Sequence, residues 1–306
     1  TNSMKNKGNH VITSSIEHDA ILEPCKELER NGLDVTYLPV DKYGMIELDE
    51  LESAIKEETI LISIMFANNE VGTIQPIKEI AEIAHKHDIV FHTDAVQVVG
   101  KIAVDVQALG IDMITLSAHK MYGPKGVGVL CINNDLKIEP ILHGGGQEDQ
   151  IRSGTQNVAG IVGMGKAAEL SIQHMDEYTN HVTKLRDHLI DSTSSEIRFS
   201  KLNGHPTQRL PSNAHFTFLG VNGEDLIIKL DENGIEASTG SACSIKKQKA
   251  SHVLMAMGFN YEEITGSLRL TLGIQNTIDE IELTVSKLGI IVNELREISP
   301  YKYKYT

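Results

Sequence analysis

The sequence predicts an α/β fold in which a mostly parallel central sheet is covered by helices on both faces, with a smaller α+β domain after it. Two observations predict this fold. From residue 10 to about residue 132, short apolar runs alternate with amphipathic segments, which is the pattern of repeated strand–helix–strand units. Several of the runs are continuously apolar and rich in Val and Ile, as strands buried on both faces should be.

The first region is predicted to contain six strands and three helices. The apolar runs predict strands at residues 10–14, 34–40, 59–67, 89–96, 113–118 and 127–132. Amphipathic segments between them predict helices at about 19–31, 48–56 and 77–87. In the last of these, Ile77, Ile80 and Ala84 share one helical face. Ligands of parallel sheets bind at the carboxyl ends of the strands, so the chemistry is expected at that edge.

A Gly-rich stretch at residues 143–155 separates this region from a second one. The predicted domains are residues 1–157 and residues 158–306, and the second begins with a long helical stretch at 158–192. Its other predicted elements are strands near 196–202, 214–219, 235–239 and 267–273 and helices near 223–233 and 251–257. A final helix is predicted after Thr277, because Glu280 three residues later completes a capping box.

The composition argues against several classes of function. Of 306 residues, 42 are acidic and 28 are basic, which argues against a broad nucleic-acid surface. Three cysteines are too few and too far apart for a disulfide framework or a zinc knuckle, so we expect a cytoplasmic protein without a metal. Cys25 and Cys131 are expected to be buried and inert. No apolar run approaches the roughly 20 residues that span a bilayer, so no membrane segment is expected.

One acidic side chain lies where a buried strand is predicted to end. Asp94 belongs to the segment FHTDAVQ, in which an apolar run meets a loop. Burying a carboxylate is costly unless it is paired or hydrogen-bonded, so Asp94 is expected to have a partner. On one interpretation Asp94 forms an ordinary ion pair or a helix cap. On the other interpretation it holds the protonated ring nitrogen of a cofactor.

Three polar residues follow the next strand, in the Gly-rich segment SAHKMYGPKGVG. Ser117, His119 and Lys120 lie where a strand end would present them to a ligand, and the glycines permit close backbone approach. A lone Lys in such a loop is more often a solvated turn residue, and no phosphate loop of the G-x-x-x-x-G-K-[ST] type occurs. The combination of Asp94, Gln97 and Lys120 on successive strand ends nevertheless favours a ligand site.

Three further residues have both a structural and a chemical interpretation. Cys243 lies in the polar segment STGSACSIKKQK, where the neighbouring Lys246 and Lys247 favour its thiolate. Arg269 interrupts an apolar strand, so it pairs either with an internal carboxylate or with the carboxylate of a substrate. His18 lies at a strand-to-helix junction, where it caps the helix, faces water, stacks on a flat cofactor or acts as an acid or base.

Seven segments in the order of the chain resemble the NifS/IscS-type cysteine desulfurases, a branch of the fold-type I enzymes that use pyridoxal 5′-phosphate (PLP). The segments are EHDAIL, NNEVGTIQP, HTDAVQ, SAHKMYGPKGVG, HGGGQE with RSGT, STGSACS and SLRLTLG. The resemblance runs from about His10 to the C-terminal helix. Members of the family carry a Thr-rich strand and a phosphate loop before the EH motif, so the large domain of this chain is expected to lack its N-terminal part.

The resemblance implies a role for each residue at the cofactor. Lys120 matches the lysine that binds PLP covalently, and Asp94 matches the acid that keeps its ring nitrogen protonated. Gln97 matches the residue that hydrogen-bonds the phenolic oxygen of the cofactor. His18 matches a catalytic residue whose side chain stacks on the cofactor ring. The other implied contacts are Ser117 and His119 at the phosphate, Thr155 at the phosphate of the neighbouring subunit, and Asn69 near both cofactor and substrate.

The resemblance also implies a homodimer that takes sulfur from L-cysteine, releases L-alanine and leaves a persulfide on Cys243. Arg269 matches the arginine that binds the substrate carboxylate. The sulfur then passes to an acceptor protein, for iron–sulfur cluster assembly or for thiolation of tRNA or of a cofactor. Two alternatives stay open. One is a selenocysteine lyase or an aminotransferase-like enzyme of the same fold, and the other is a non-catalytic scaffold, because the N-terminal phosphate loop is absent.

Overall fold

The computed structural model describes residues 1–239 and 250–305, which form two compact units. The first unit comprises Thr1–Pro39, Ile46–Ala67 and Gln75–Met175, and the second comprises Val40–Met45, Asn68–Ile74 and Asp176–Thr306. Two short segments from the N-terminal half of the sequence therefore belong to the second unit. The domain boundary after residue 157 stays a prediction.

A six-stranded sheet forms the centre of the first unit. Its strands are β1 (His10–Ser14), β2 (Asp34–Leu38), β3 (Thr59–Ser63), β4 (Val90–Asp94), β5 (Met113–Ser117) and β6 (Gly128–Ile132). Their order is β2-β1-β3-β4-β5-β6, with every pair parallel except the antiparallel pair of β5 and β6. The predicted α/β fold with a mostly parallel sheet is confirmed. The strand predicted at 59–67 is shorter than expected, because β3 ends at Ser63.

Helices connect the parallel strands and cover the sheet. The helices of this unit are α1 (Asp19–Arg30), α2 (Leu48–Ala54), α3 (Ile77–Lys86) and α4 (Val158–Gln173). In α3 the side chains of Ile77, Ile80 and Ala84 are buried, as the helical spacing of these apolar residues predicts. The central strands contribute side chains such as Ile12, Ile62 and Phe91, which are fully buried. The core of the unit is therefore aliphatic and lies along the sheet.

A three-stranded antiparallel sheet forms the centre of the second unit, in the order β7-β8-β9. Its elements are α5 (Met175–Glu196), β7 (Ser200–Asn203), β8 (Asn213–Phe218), α6 (Gly223–Asp231), α7 (His252–Ala256), α8 (Tyr261–Thr265), β9 (Ser267–Thr271), α9 (Ile278–Ile298) and α10 (Lys302–Tyr305). Phe216, Leu268 and Leu288 are fully buried in one apolar cluster. Among residues 1–239 and 250–305, no helix combines the length and apolarity that crossing a membrane requires.

Two further predicted elements differ from the structure. The helical stretch predicted at 158–192 is two helices, because α4 ends at a C-cap, His174, before α5 begins. The strand predicted at 235–239 is wrong. Only Ser238 pairs with β9, through an isolated antiparallel bridge to Arg269, so a single residue pair replaces a ladder.

The capping box predicted at the start of α9 is confirmed. The Thr277 hydroxyl accepts a hydrogen bond from the Glu280 N–H at 3.3 Å, and the Glu280 carboxylate accepts one from the Thr277 N–H at 3.0 Å. Two N–H groups that the helix itself leaves unsatisfied thereby gain partners.

Replacing Thr277 with Ala is expected to lower the free energy of unfolding by about 1 kcal/mol, because one of these caps is lost. Thermal unfolding followed by circular dichroism measures the change. Ser195→Ala, which removes an exposed hydroxyl bonded to the carbonyls of Asp191 and Ser192 late in α5, is the control and should change the stability by less than about 0.5 kcal/mol. Equal stabilities of the two variants would contradict the assignment.

Candidate active site

Two neighbouring strands bring predicted site residues to one edge of the first unit's sheet. Asp94 is the last residue of β4 and Ser117 is the last residue of β5, and these two strands are parallel neighbours. A single helical turn, Ala118–Met121, follows β5 directly and carries His119 and Lys120. Because parallel strands end at the same edge of a sheet, these polar side chains all leave it there.

Asp94 lies half-buried at the end of β4. Its Oδ1 accepts a hydrogen bond from the Val96 N–H at 2.9 Å, so it caps the turn that follows β4. Burial raises the pKa of Asp94, while the Val96 hydrogen bond and the nearby His18 lower it. In the described part of the chain, we find no ion pair between Asp94 and a Lys or Arg side chain. The ion-pair interpretation is therefore not supported, whereas the capping interpretation is.

His18 is the N-cap of α1. Its Nδ1 accepts a hydrogen bond from the Ala20 N–H at 3.1 Å, and the side chain is exposed. The ring is also close enough to influence the pKa of Asp94. The helix-capping interpretation of His18 is therefore confirmed, and the cap fixes an exposed ring on the side of the site where Asp94 lies.

The turn after β5 presents three polar groups. The Ser117 hydroxyl and His119 Nδ1 are 2.8 Å apart, and both His119 and Lys120 are exposed. The turn ends at Tyr122, whose φ of 62° is unusual for a residue other than Gly. At Gly123 a Cβ would lie 2.9 Å from the Ala118 carbonyl oxygen, so only Gly allows the chain to fold back so closely. The backbone thus fixes the direction in which Lys120 leaves the sheet.

Gln97 contacts a residue that the sequence interpretation missed. The Lys101 amine donates a hydrogen bond to Gln97 Oε1 at 3.2 Å. Burial, with a smaller effect of the positive charge on Lys120, lowers the pKa of Lys101 to about 8. The site therefore contains a second amine, whose pKa the charge on Lys120 helps to lower. Its position four residues after Gln97 was the only sequence clue.

A buried carboxyl group lies next to the site. Glu17 is completely buried, and its Oε1 accepts hydrogen bonds from the Ser14 hydroxyl at 2.6 Å and from the Met65 N–H at 2.8 Å. Burial raises the pKa of Glu17 to about 8, and the hydrogen bonds oppose that effect while Asp94 adds to it. Glu17 is therefore mostly protonated at pH 7, and it fixes the chain immediately before His18.

His92 is the third residue that the sequence interpretation missed. On β4 it bridges two neighbouring strands, with Nδ1 2.8 Å from the Ser63 hydroxyl of β3 and Nε2 2.5 Å from the Thr115 hydroxyl of β5. Burial lowers the pKa of His92 to about 4, so the ring is neutral at pH 7. It holds three strands in register two residues before Asp94.

Two predicted substrate residues meet within the second unit. Arg269 on β9 donates from Nη1 to the Asn69 carbonyl oxygen at 3.0 Å and from Nη2 to the Ser238 hydroxyl at 3.5 Å. Both Asn69 and Arg269 are half-buried. At these two contacts the guanidinium donates to neutral oxygens, a backbone carbonyl and a hydroxyl group.

The remaining predicted residues have different outcomes. Thr155 is exposed at the end of the Gly-rich stretch, and Cys243 lies outside the described residues, so both roles stay predictions.

Cys25 is buried, and burial raises the pKa of its thiol to about 11. The expectation that Cys131 is buried is wrong, because it lies on the exposed strand β6 at one end of the sheet. Within residues 1–239 and 250–305, no three His, Cys, Asp or Glu side chains are grouped to hold a metal ion.

Comparison with known proteins gives the family. Residues 1–284 match the sequence profile of the family described as aminotransferase class-V. The chain belongs to the class-V aminotransferase family. A cysteine desulfurase IscS from Dictyoglomus turgidum is 50% identical to this chain over 303 residues, which are 99% of this chain and 77% of the relative.

Solved structures place it on the same fold. A NifS-like protein matches this chain with a TM-score of 0.89 and 38% identity, over 96% of this chain and 78% of that protein. A structure of SspA in complex with cysteine matches it with a TM-score of 0.77 and 37% identity, over 90% and 76% of the two chains. The predicted family and fold type are confirmed, and the cofactor of this family member is PLP.

The side chains at the sheet edge fit this cofactor. The exposed amine of Lys120 suits an aldehyde, and the paired Ser117 hydroxyl and His119 ring suit a phosphate group. Asp94, whose pKa is raised by burial, suits a protonated ring nitrogen, because that positive charge would stabilise the carboxylate. The donor set therefore offers a partner for each polar part of PLP.

Replacing Glu17 with Gln is expected to flatten the pH dependence of stability. The pKa of Glu17 is about 8 in the folded protein and 4.5 without burial, so the folded state binds the extra proton between these values. The wild type therefore loses stability as the pH rises from 4.5 to 8, by at most about 1.4 kcal/mol per pH unit for one proton. Gln keeps the acceptor oxygen but cannot ionise.

Melting temperatures at pH 5.5, 7 and 8.5 test this prediction. The Glu17→Gln protein should lose less stability between the first and last pH than the wild type. Glu57→Gln, at an exposed position of the same unit, should keep the wild-type slope. Parallel curves for all three proteins would show that Glu17 does not carry the buried proton.

Proposed function

We propose that this protein is a PLP-dependent cysteine desulfurase that takes sulfur from L-cysteine, releases L-alanine and holds the sulfur as a persulfide on Cys243. One observation carries the proposal. Lys120 and Asp94 follow adjacent parallel strands and leave the sheet at the same edge, where an amine and an acid can hold opposite parts of one pyridine ring. The likeness to a cysteine desulfurase over 99% of the chain supports the choice of substrate.

The residues of the first unit would hold the cofactor and move protons. Lys120 would hold PLP at its aldehyde and, once displaced by the substrate amine, would take up and return the proton of the substrate α-carbon. Asp94 would keep the ring nitrogen protonated, His18 would stack on the ring, and Gln97 would bond the phenolic oxygen. When bound, PLP supplies an electron sink for the bonds at the substrate α-carbon.

The residues of the second unit would hold the substrate. Arg269 would bind the carboxylate of L-cysteine with its guanidinium, which is oriented by the carbonyl oxygen of Asn69. The Cys243 thiolate would then attack the substrate sulfur. As the new S–S bond forms, the substrate C–S bond breaks, and its electron pair stays with the carbon. That carbon takes up a proton and leaves as part of L-alanine.

The Cys243 thiol must ionise for this attack. A free thiol has a pKa of about 8.5, so only a few per cent is thiolate at pH 7. Lys246 and Lys247, three and four residues further along the chain, supply positive charge that favours the thiolate.

A homodimer is part of the proposal. The helix α4 exposes Val158 and Val162 at 66% and Ile172 at 73%, and Ile141 before it is 83% exposed. Several exposed apolar side chains on one helix are typical of a surface that another protein covers. Because Thr155 lies just before α4, a partner on this surface would lie next to the residue that we expect to reach the neighbouring phosphate.

The persulfide would pass to an acceptor protein in the cytoplasm. Iron–sulfur cluster assembly and thiolation of tRNA or of a cofactor would all use the same Cys243 sulfur. The name of the relative from Dictyoglomus turgidum, cysteine desulfurase IscS, favours an acceptor of the first kind.

Replacing Cys243 with Ala is expected to abolish both persulfide and L-alanine formation, because no thiol remains to take the sulfur. The variant should still bind PLP and absorb visible light. Mass spectrometry of the protein and an alanine assay measure the two products. Cys131→Ala removes the exposed cysteine of β6 and should behave like the wild type. Sulfur release that survives in Cys243→Ala would contradict the proposal.

Replacing Asp94 with Asn is expected to lower L-alanine formation by about two orders of magnitude or more, because a neutral amide cannot keep the ring nitrogen protonated. Asn retains an oxygen for the Val96 N–H, so the turn is preserved. Asp105→Asn is the matched control, since Asp105 accepts similar N–H bonds from Gln107 and Ala108 in an exposed turn. If both variants keep wild-type activity while binding PLP, Asp94 is only a cap.

A further inference from the structure

The turns that follow β4 carry both Gln97 and Lys101. Their backbone is tied to the neighbouring strand β5, because the Ala95 N–H donates a hydrogen bond to the Thr115 carbonyl oxygen at 3.1 Å. Within the turns, the Val98 N–H donates to the Ala95 carbonyl oxygen and the Lys101 N–H donates to the Val98 carbonyl oxygen, both at 2.9 Å. Successive backbone bonds of this kind fix the positions from which the Gln97 and Lys101 side chains leave the chain.

The same backbone packs against the turn that carries Lys120. At Gly100, with φ of +82°, a Cβ would lie 2.9 Å from Ser171 Oγ and 3.0 Å from the Cβ of Met121, so only Gly allows this close approach. Met121 directly follows Lys120 in the sequence. Val99 packs against the same buried cluster, to which Met121 belongs. The turns after β4 and the turn after β5 therefore form one packed edge of the sheet.

Lys101 directs its amine towards Gln97 on this edge. The amine donates a hydrogen bond to Gln97 Oε1 at 3.2 Å, and both side chains are half-buried. The positive charge on Lys120 contributes to the lowered pKa of Lys101, so the two amines lie near each other. Because that pKa is about 8, most of the Lys101 amine is still protonated at pH 7.

A protonated amine can bond only one end of a carboxamide. An ammonium group has three N–H donors and no acceptor, whereas the carboxamide of Gln97 has an acceptor oxygen at one end and an NH₂ donor at the other. The bond with Lys101 therefore requires Oε1 to face the ammonium group. The Nε2 hydrogens then remain for another acceptor. An ionised phenolic oxygen of PLP is such an acceptor, and it would be repelled by Oε1.

We propose that Lys101 is a positioning residue for the cofactor, which holds Gln97 Oε1 and thereby leaves the Gln97 N–H donors for the phenolic oxygen of PLP. This inference rests on the proposed role of Gln97. Without the bond, the carboxamide is free to rotate between two orientations, of which only one donates to that oxygen. A side chain that is oriented before the ligand arrives loses less conformational freedom on binding, so PLP is held more tightly.

Two alternative roles are a structural one, in which Lys101 only stabilises the turns, and an electrostatic one, in which its charge acts on PLP without Gln97. Lys101→Met removes the donor and the charge, whereas Lys101→Arg keeps both. Gln97→Ala removes the carboxamide and is also combined with Lys101→Met in a double variant. An effect that passes through Gln97 must disappear when the carboxamide is already absent, whereas a structural or electrostatic effect must persist.

The matched control is Lys26→Met in α1 of the same unit. The Lys26 amine donates a hydrogen bond to the Glu23 side chain at 2.7 Å, and both side chains are exposed. This substitution therefore also removes one amine and one bond to a neighbouring side chain, but it leaves Gln97 and its surroundings unchanged.

Two measurements without L-cysteine compare the proteins. The dissociation constant of PLP is determined by titrating the apoproteins, and the visible absorption of the holoproteins is recorded from pH 6 to pH 10. We expect Lys101→Met and Gln97→Ala each to weaken PLP binding about fivefold. The midpoint of the pH-dependent spectral change should rise by about half a pH unit or more, because an N–H bond to the phenolic oxygen favours the less protonated form of the cofactor.

The other variants are expected to show the path of the effect. The double variant should match Gln97→Ala in both measurements, since Lys101 then has no carboxamide to orient. Lys101→Arg should recover most of the affinity, and Lys26→Met should match the wild type.

Four results would overturn the positioning role. They are wild-type affinity in Lys101→Met, wild-type affinity in Gln97→Ala, a full additional loss in the double variant, and a Lys101→Arg protein that binds PLP as weakly as Lys101→Met. If Lys101→Met does not fold, Lys101→Ala replaces it in the same comparisons. A wild-type protein that binds PLP but forms no L-alanine from L-cysteine would instead refute the proposed function, and the result for Lys101 would stand.

Discussion

The parallel pairing of β4 with β5 is the constraint on which the site of the first unit depends. Because the strands run in the same direction, Asp94 at the end of one and Ser117 at the end of the other leave the sheet side by side. His92 strengthens this register by bridging hydroxyl groups on β3 and β5. Since its buried ring is neutral at pH 7, the bridge places no charge beneath the site.

Burial then sets the charge at the site. It raises the pKa values of Glu17 and Asp94 and lowers those of His92 and Lys101, so each shift favours the uncharged form. A cofactor ring with a protonated nitrogen would reverse this tendency at Asp94. PLP would therefore interact favourably with an acid whose ionised form burial disfavours, and this couples the binding of the ring to the ionisation of Asp94.

Buried hydrogen bonds hold a tight turn at residues 68–73 of the second unit. Arg209 donates five hydrogen bonds to neutral oxygens, and its burial lowers the pKa of the guanidinium to about 10. A buried charge is tolerated when its donors are satisfied, and the bonds of Arg209 join segments that are distant in sequence, including the carbonyl oxygen of Val71. Burying the charge of Arg209 costs free energy, and its hydrogen bonds hold the turn on which Asn69 and Glu70 lie.

The sequence alone determined the strands and helices of the first unit, the capping box at Thr277 and the positions of Asp94 and Lys120 at strand ends, because apolar periodicity and capping are local properties of the chain. Strand order is not local, so only the tertiary structure revealed that Cys131 lies on an exposed edge strand. Only the tertiary structure also revealed the hydrogen bond that the Ser251 hydroxyl donates to the Glu70 carboxylate at 2.6 Å. These residues are 181 positions apart, and no pattern along the chain relates them. Their hydrogen bond exists because folding buries both groups together and leaves each with the other as its partner.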